Sequence, residues 1–154
     1  MKTMASGLNP KKLCTVGAST VPLSAALVGG TATPAAAHTL TGAARAGCEW
    51  PSGTVSTLDS RTVLDPAGAR NGTLYLPWSG TYGENCLVTP TTAGHGIDQS
   101  MSARPGIRGA GSHTDSGTYS HFAAVSRNAA GKCVNFGGSI PGSSAGRDSC
   151  GNCG

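Results

Sequence analysis

Along this chain the apolar residues recur at every second position in short runs, and nowhere at every third or fourth position over three turns. That pattern predicts strands and no helix. Six runs carry it: residues 60–64, 72–78, 86–91, 99–103, 118–126 and 132–136. The clearest is the second. There Leu74, Leu76 and Trp78 share one face and Tyr75 takes the other. In 118–126, Tyr119, His121, Ala123 and Val125 alternate against Phe122. Gly, Pro, Ser and Asn punctuate the chain between the runs, so the strands are short and the turns frequent. The expected architecture is all-β: a small antiparallel β-sandwich or barrel with Gly-rich loops.

Two of the segments look like related hairpins. Leu74-Tyr75-Leu76-Pro77-Trp78 leads through a loop with Gly80 and Gly83 to Cys86-Leu87-Val88. Phe122-Ala123-Ala124-Val125 leads through a loop ending at Gly131 to Cys133-Val134. Trp78 precedes Cys86 by eight residues and Val125 precedes Cys133 by eight. Each cysteine then opens a return strand, and two packed hairpins would bring Cys86 and Cys133 face to face.

The first 37 residues break with this pattern. Lys2, Lys11 and Lys12 precede an uncharged stretch rich in Ala, Val, Leu and Gly, and Ala35-Ala36-Ala37 supplies a small-residue cleavage site. Residues 1–37 therefore read as a signal peptide, with the mature chain starting at His38. Pro22, Gly29, Gly30 and Pro34 interrupt the apolar run, which argues against a retained membrane anchor. Residues 38–47 are small and polar and read as a flexible lead-in to a single β domain over 48–154.

Export changes the meaning of both charge and cysteine. The formal charge is +4, but the three leading lysines account for most of it, and the seven arginines of the remainder are scattered. A nucleic-acid partner and a polybasic membrane patch are both disfavoured. Cys14 leaves with the signal. Cys48, Cys86, Cys133, Cys150 and Cys153 remain, and in an oxidising compartment they read as two bridges and one free thiol. Bridges matter in a chain with 24 glycines and 5% aromatic residues, because such a core is thin. Spacing alone does not choose among the pairings, although the hairpin likeness favours Cys86 with Cys133.

Candidate chemistry is sparse. Gly142-Ser143-Ser144-Ala145-Gly146 matches the nucleophile-elbow pattern of serine hydrolases, but no His follows it, and a flexible loop is the plainer reading. Cys150-Gly151-Asn152-Cys153 has redox-motif spacing but stands at the chain end without a helix to lower a thiol pKa. His95, His113 and His121 with Asp98 and Asp115 lack zinc-motif spacing, so no metal or other cofactor is expected. Glu49 and Glu84 are the only glutamates, which gives little support to a paired-carboxylate glycosidase. Trp50, Tyr75, Trp78 and Tyr82 are candidates for stacking on sugar rings, with a core role as the plainer account.

Taken together, Gly72-Thr73-Leu74-Tyr75-Leu76, Gly83-Glu84-Asn85-Cys86-Leu87-Val88-Thr89, Asp115-Ser116-Gly117-Thr118-Tyr119 and Gly131-Lys132-Cys133-Val134 resemble the spore-associated protein A family of filamentous actinobacteria, from about Cys48 to the end. The terminal Cys150-Gly151 fits the same pattern, while Cys153 and the tail-like Gly142–Asp148 depart from it. The resemblance implies a small exported protein of the spore or cell surface with spore or wall components as partners, and no catalytic residues. It also favours Cys150 as the partner of Cys48, a bridge that would tie the ends of the domain together. Cys153 is then the free thiol, able to link two copies in a disulfide-bonded dimer. The expected function is non-catalytic surface association. A carbohydrate-binding module and a small extracellular protease inhibitor are the alternatives.

Overall fold

A computed structural model describes residues 39–91 and 96–153. The signal segment 1–37, His38 and His95 lie outside the described residues. The strands are β1 (Ser56–Leu64), β2 (Arg70–Ser79), β3 (Glu84–Pro90), β4 (Gln99–Ile107), β5 (Gly111–Ser112), β6 (Asp115–Tyr119), β7 (Phe122–Asn128), β8 (Val134–Ile140) and β9 (Ser143–Gly151). They form two antiparallel sheets. The first has the order β1-β2-β3-β7. The second has the order β5-β4-β8-β9, with β6 also paired to β4. The sheets are separate and face each other, β3 and β7 against β4, β2 against β8, and β1 against β9. The sandwich form of the expected all-β architecture is therefore the one adopted.

The period-two pattern explains what fills the space between the sheets. Leu74 and Leu76 from β2, Leu87 from β3, Met101, Ala103 and Ile107 from β4, and Val134, Phe136 and Ile140 from β8 form one buried cluster. Trp78 packs against its edge. The intervening residues face outward. On the first sheet those residues, Cys86 and Val88, enter a second buried cluster with Ala43, Ala44, Cys48 and Trp50.

That second cluster exists because the lead-in is a helix, α1 (Leu40–Gly47), and not a flexible segment. The Thr39 side chain caps it by accepting a hydrogen bond from Gly42 N at 3.0 Å. Ala43 and Ala44 are its buried face. Gly47 lets it lie close on β7: a Cβ there would meet Ala124 Cβ and Phe122 Cε2, each at 2.6 Å. A helix this short and this small in side chain gives no apolar period to read, and it is held by packing and a bridge, not by propensity.

The other departures share one cause. The run 118–126 is not one strand. The chain turns at Ser120-His121 and passes from the second sheet (β6) to the first (β7). β7 pairs with β3, and β8 pairs with β4 and β9, so β7 and β8 do not make a hairpin. The likeness of the two cysteine-bearing segments is thus coincidental. Gly142–Gly146, expected as a loop, is the turn and start of β9. Gly142 has φ +73° in the β8–β9 turn.

The bridges follow from this topology and correct all the expected pairings. Cys48 bonds to Cys86, with Cα atoms 6.0 Å apart. Cys133 bonds to Cys153, with Cα atoms 3.9 Å apart. Cys150 is the free, exposed thiol. Cys86 points away from the sheet interface toward α1, where Cys48 ends the helix. Cys133 stands beside the start of β8, whose Val134 pairs with Gly151, so the residues just past β9 lie next to it. Cys86–Cys133 and Cys48–Cys150 do not form, and a dimer through Cys153 is closed off because that sulfur is already bonded. The two intrachain bridges place the fold in an oxidising setting. Among the described residues no helix is long and apolar enough to cross a membrane.

Candidate functional site

The four aromatic candidates do not form one platform. Trp50 is 1% exposed. Its indole Nε1 donates to Glu84 Oε2 at 2.9 Å. Tyr82 stacks on it with ring centroids 6.3 Å apart and an interplanar angle of 6°. Each ring of this pair occupies a face of the other, and Tyr82 is held further by Ser52 Oγ, 3.2 Å from its hydroxyl. Tyr75 and Trp78 stand on opposite faces of β2, as their spacing predicted. Trp78 lines a hollow of about 230 Å³ with Leu58, Asn85 and Cys153.

The histidine and carboxylate candidates are also apart or already engaged. Asp115 accepts from the Tyr119 hydroxyl and, through Oδ2, from Ala124 N at 3.1 Å, so it fastens β6 to β7. The hydrogen bond to Asp115, burial and the charge of that carboxylate raise the Tyr119 pKa above the usual 10.0. Asp98 accepts from Ser120 Oγ at 2.6 Å. Glu84 is committed to Trp50. Among the described residues no group of three or more His, Cys, Asp or Glu could hold a metal ion. Ser143 Oγ lies 3.2 Å from Asn71 Nδ2 at the start of a strand, where no elbow and helix follow it. Of the C-x-x-C pair, Cys153 is bridged and Cys150 is not.

Among the described residues, the outer face of the second sheet remains open. α1 covers part of the outer face of the first sheet, against β3 and β7. The second sheet turns outward the residues that alternate with its core positions, and these are small or polar. The register places Ser116 (β6) opposite Ser102 (β4), Ser102 opposite Ser139 (β8), and Ser139 opposite Ser144 (β9). Strands lie about 4.8 Å apart, so this row of four hydroxyls crosses about 14 Å of sheet. Ser102 Oγ and Ser139 Oγ are hydrogen-bonded at 2.7 Å. The next row is Arg104, Gly137 and Gly146, and the row after it begins with Gly106 and Asn135.

Gly137 and Gly146 leave part of this face without side chains, whereas the Asn135 amide fills the space over Gly106. Two adjoining clefts result, of about 360 and 470 Å³, both lined by Arg104 and Asp148. Arg108 and Cys150 line the first, and Ser102, Ser139 and Ser144 the second. The charges here are unequally satisfied. Arg147 Nη1 is paired with Asp59 of β1 at 3.2 Å. Arg104 and Arg108 have no ion pair or hydrogen bond from their guanidinium groups among the described residues. Such a face can bind: it offers two free cations, several hydroxyls and a backbone that a ligand can approach closely.

Sequence reasoning missed this site because it treated the arginines as scattered and residues 142–148 as a tail. The signal was present as period two in small and polar residues: Ser102, Arg104, Gly106 in one run and Asn135, Gly137, Ser139 in another. Compared with known proteins, the chain matches no family model, no curated protein and no solved structure.

Proposed function

We propose that this is a secreted, non-catalytic domain that associates with the cell or spore surface through the open face of its second sheet. The observation that carries the reading is the contrast between the two sheets. One outer face bears a helix locked down by a disulfide, whereas the other carries a serine row, a glycine floor and unpaired arginines. Two bridges and the signal-like N-terminus support export, and the sequence resemblance supports the spore or wall as the setting. Sugar binding through stacked rings is the weaker reading, because the aromatic candidates pack on each other or on opposite faces of β2.

Fractionation of a producing culture into medium, washed cells, spores and cytoplasm tests the proposal. The expected result is a processed, oxidised protein in the washed-surface fraction that high salt releases. Recovery of the unprocessed chain from the cytoplasm alone would overturn it.

A further inference from the structure

We propose that the open face binds a polyol phosphate chain, a linear polymer in which hydroxylated alditol units alternate with phosphodiesters. Arg104 and Arg108 meet the phosphates, and the serine row meets the hydroxyls. This rests on the reading of that face as the one used at the surface, and names what it recognises there.

Charge argues for an anion. Arg104 stands on β4 and Arg108 just past its end, both line the first cleft, and neither is neutralised among the described residues. Arg147 shows the contrast, because Asp59 compensates it. One acidic side chain, Asp148, shares the lining, so positive charge is in excess. A guanidinium presents a planar fork that fits a phosphate in two-point contact.

The rest of the face selects the kind of anion. Its outward positions from Ser102 to Gly106, Asn135 to Ser139 and Ser144 to Asp148 carry no aromatic ring. The one ring that touches the clefts, Phe136, is 3% exposed and belongs to the core. Pyranose sugars and unpaired nucleobases are usually gripped by stacking on rings, which this face cannot supply. An acyclic polyol has no ring to stack and is bound through its hydroxyls, for which Ser102, Ser139, Ser144 and Asn135 are matched donors and acceptors. Gly137 and Gly146 leave a stretch of backbone on which a thin chain can lie.

The glycine floor also supplies a test that leaves charge untouched. A Cβ at Gly137 would meet Ala145 O at 3.6 Å and Arg104 Nη2 at 3.8 Å, ordinary contact distances, so the strand accepts a side chain there, and the branched one of Gly137→Val raises an obstacle beside the Arg104 guanidinium in the middle of the face. The purified oxidised protein is titrated by calorimetry with poly(glycerol phosphate), and separately with dextran, polygalacturonate and single-stranded DNA. Binding to poly(glycerol phosphate) that weakens as salt rises is the expected result, with little or none to the other three. Arg104→Gln with Arg108→Gln is expected to weaken it about 100-fold, about tenfold for each charged contact. Gly137→Val is expected to weaken it about tenfold with an unchanged melting temperature. Bound polymer should also slow alkylation of Cys150, which lines the first cleft.

Equal binding of polygalacturonate or DNA would overturn the inference in favour of a general polyanion surface. Full binding by Gly137→Val, or no binding at low salt, would overturn it outright. A protein that sits on washed cells yet ignores the polymer refutes this inference and leaves surface association standing. A protein that binds the polymer in the calorimeter but is never exported does the reverse.

Discussion

Cys48, the last capping residue of α1, is bonded to Cys86 in the middle of β3, and this one bond fixes the helix to the outer face of the first sheet. Both sulfurs are buried with Trp50 and Val88. The bridge is the centre of a small second core, and the helix has few other reasons to exist.

Breaking it should therefore cost more than the bond. In the chain-entropy model a loop of 38 residues corresponds to about 4 kcal/mol. The double variant Cys48→Ala with Cys86→Ala is expected to lose at least that much in urea denaturation, together with the helical signal in circular dichroism. Loss of stability with α1 intact would show that packing alone holds the helix.

The free thiol should be identifiable without reduction. Iodoacetamide applied to the native protein is expected to label Cys150 alone. Peptide mapping is expected to show Cys48–Cys86 and Cys133–Cys153. Label on Cys153, or a Cys86–Cys133 peptide, would contradict the topology described above.

The buried Trp50 indole donates to the half-buried Glu84 carboxylate, and Tyr82 stacks on the indole. Trp50→Ala is expected to destabilise by about 3–5 kcal/mol. Glu84→Gln keeps the shape but weakens a charge-assisted bond, at a cost of about 1 kcal/mol. Urea midpoints give both values. A larger effect from Glu84→Gln than from Trp50→Ala would mean that the carboxylate has a role beyond the indole.

Tyr119 gives the fold a dependence on alkaline pH. Its phenol is held protonated by Asp115, so its pKa is higher folded than unfolded. Below the unfolded value of 10.0 the contribution is fully present. As pH rises past that value the unfolded chain releases the proton first, and stability falls until the folded group ionises as well. Melting temperatures above pH 10 are expected to fall less steeply in Tyr119→Phe than in the parent protein. Parallel curves would mean that the hydroxyl bond contributes nothing.

The sequence showed the core strands plainly where large apolar residues alternate, as in Leu74, Leu76 and Trp78. It misled where local patterns are ambiguous without the partner strand. Residues 118–126 alternate well throughout, and only pairing with β4 or β3 reveals the turn at Ser120-His121. The eight-residue spacings to Cys86 and Cys133 were equal, but one spans a hairpin and the other a crossing between sheets. Of the candidate site, Arg104 and Ser139 were unremarkable in the chain. Their nearness is a matter of register, which small outward residues do not announce because they bury nothing.

The Cys133–Cys153 bond encloses the whole β8–β9 hairpin in a covalent ring. The turn of that hairpin at Pro141-Gly142 is exposed, so a protease can reach it. A cut there opens the ring without releasing either strand. The clipped molecule gains one water but stays covalently in one piece until a reductant is added, and keeps Ser139 and Ser144 side by side. The ring thus makes the open face tolerant of damage at the β8–β9 turn.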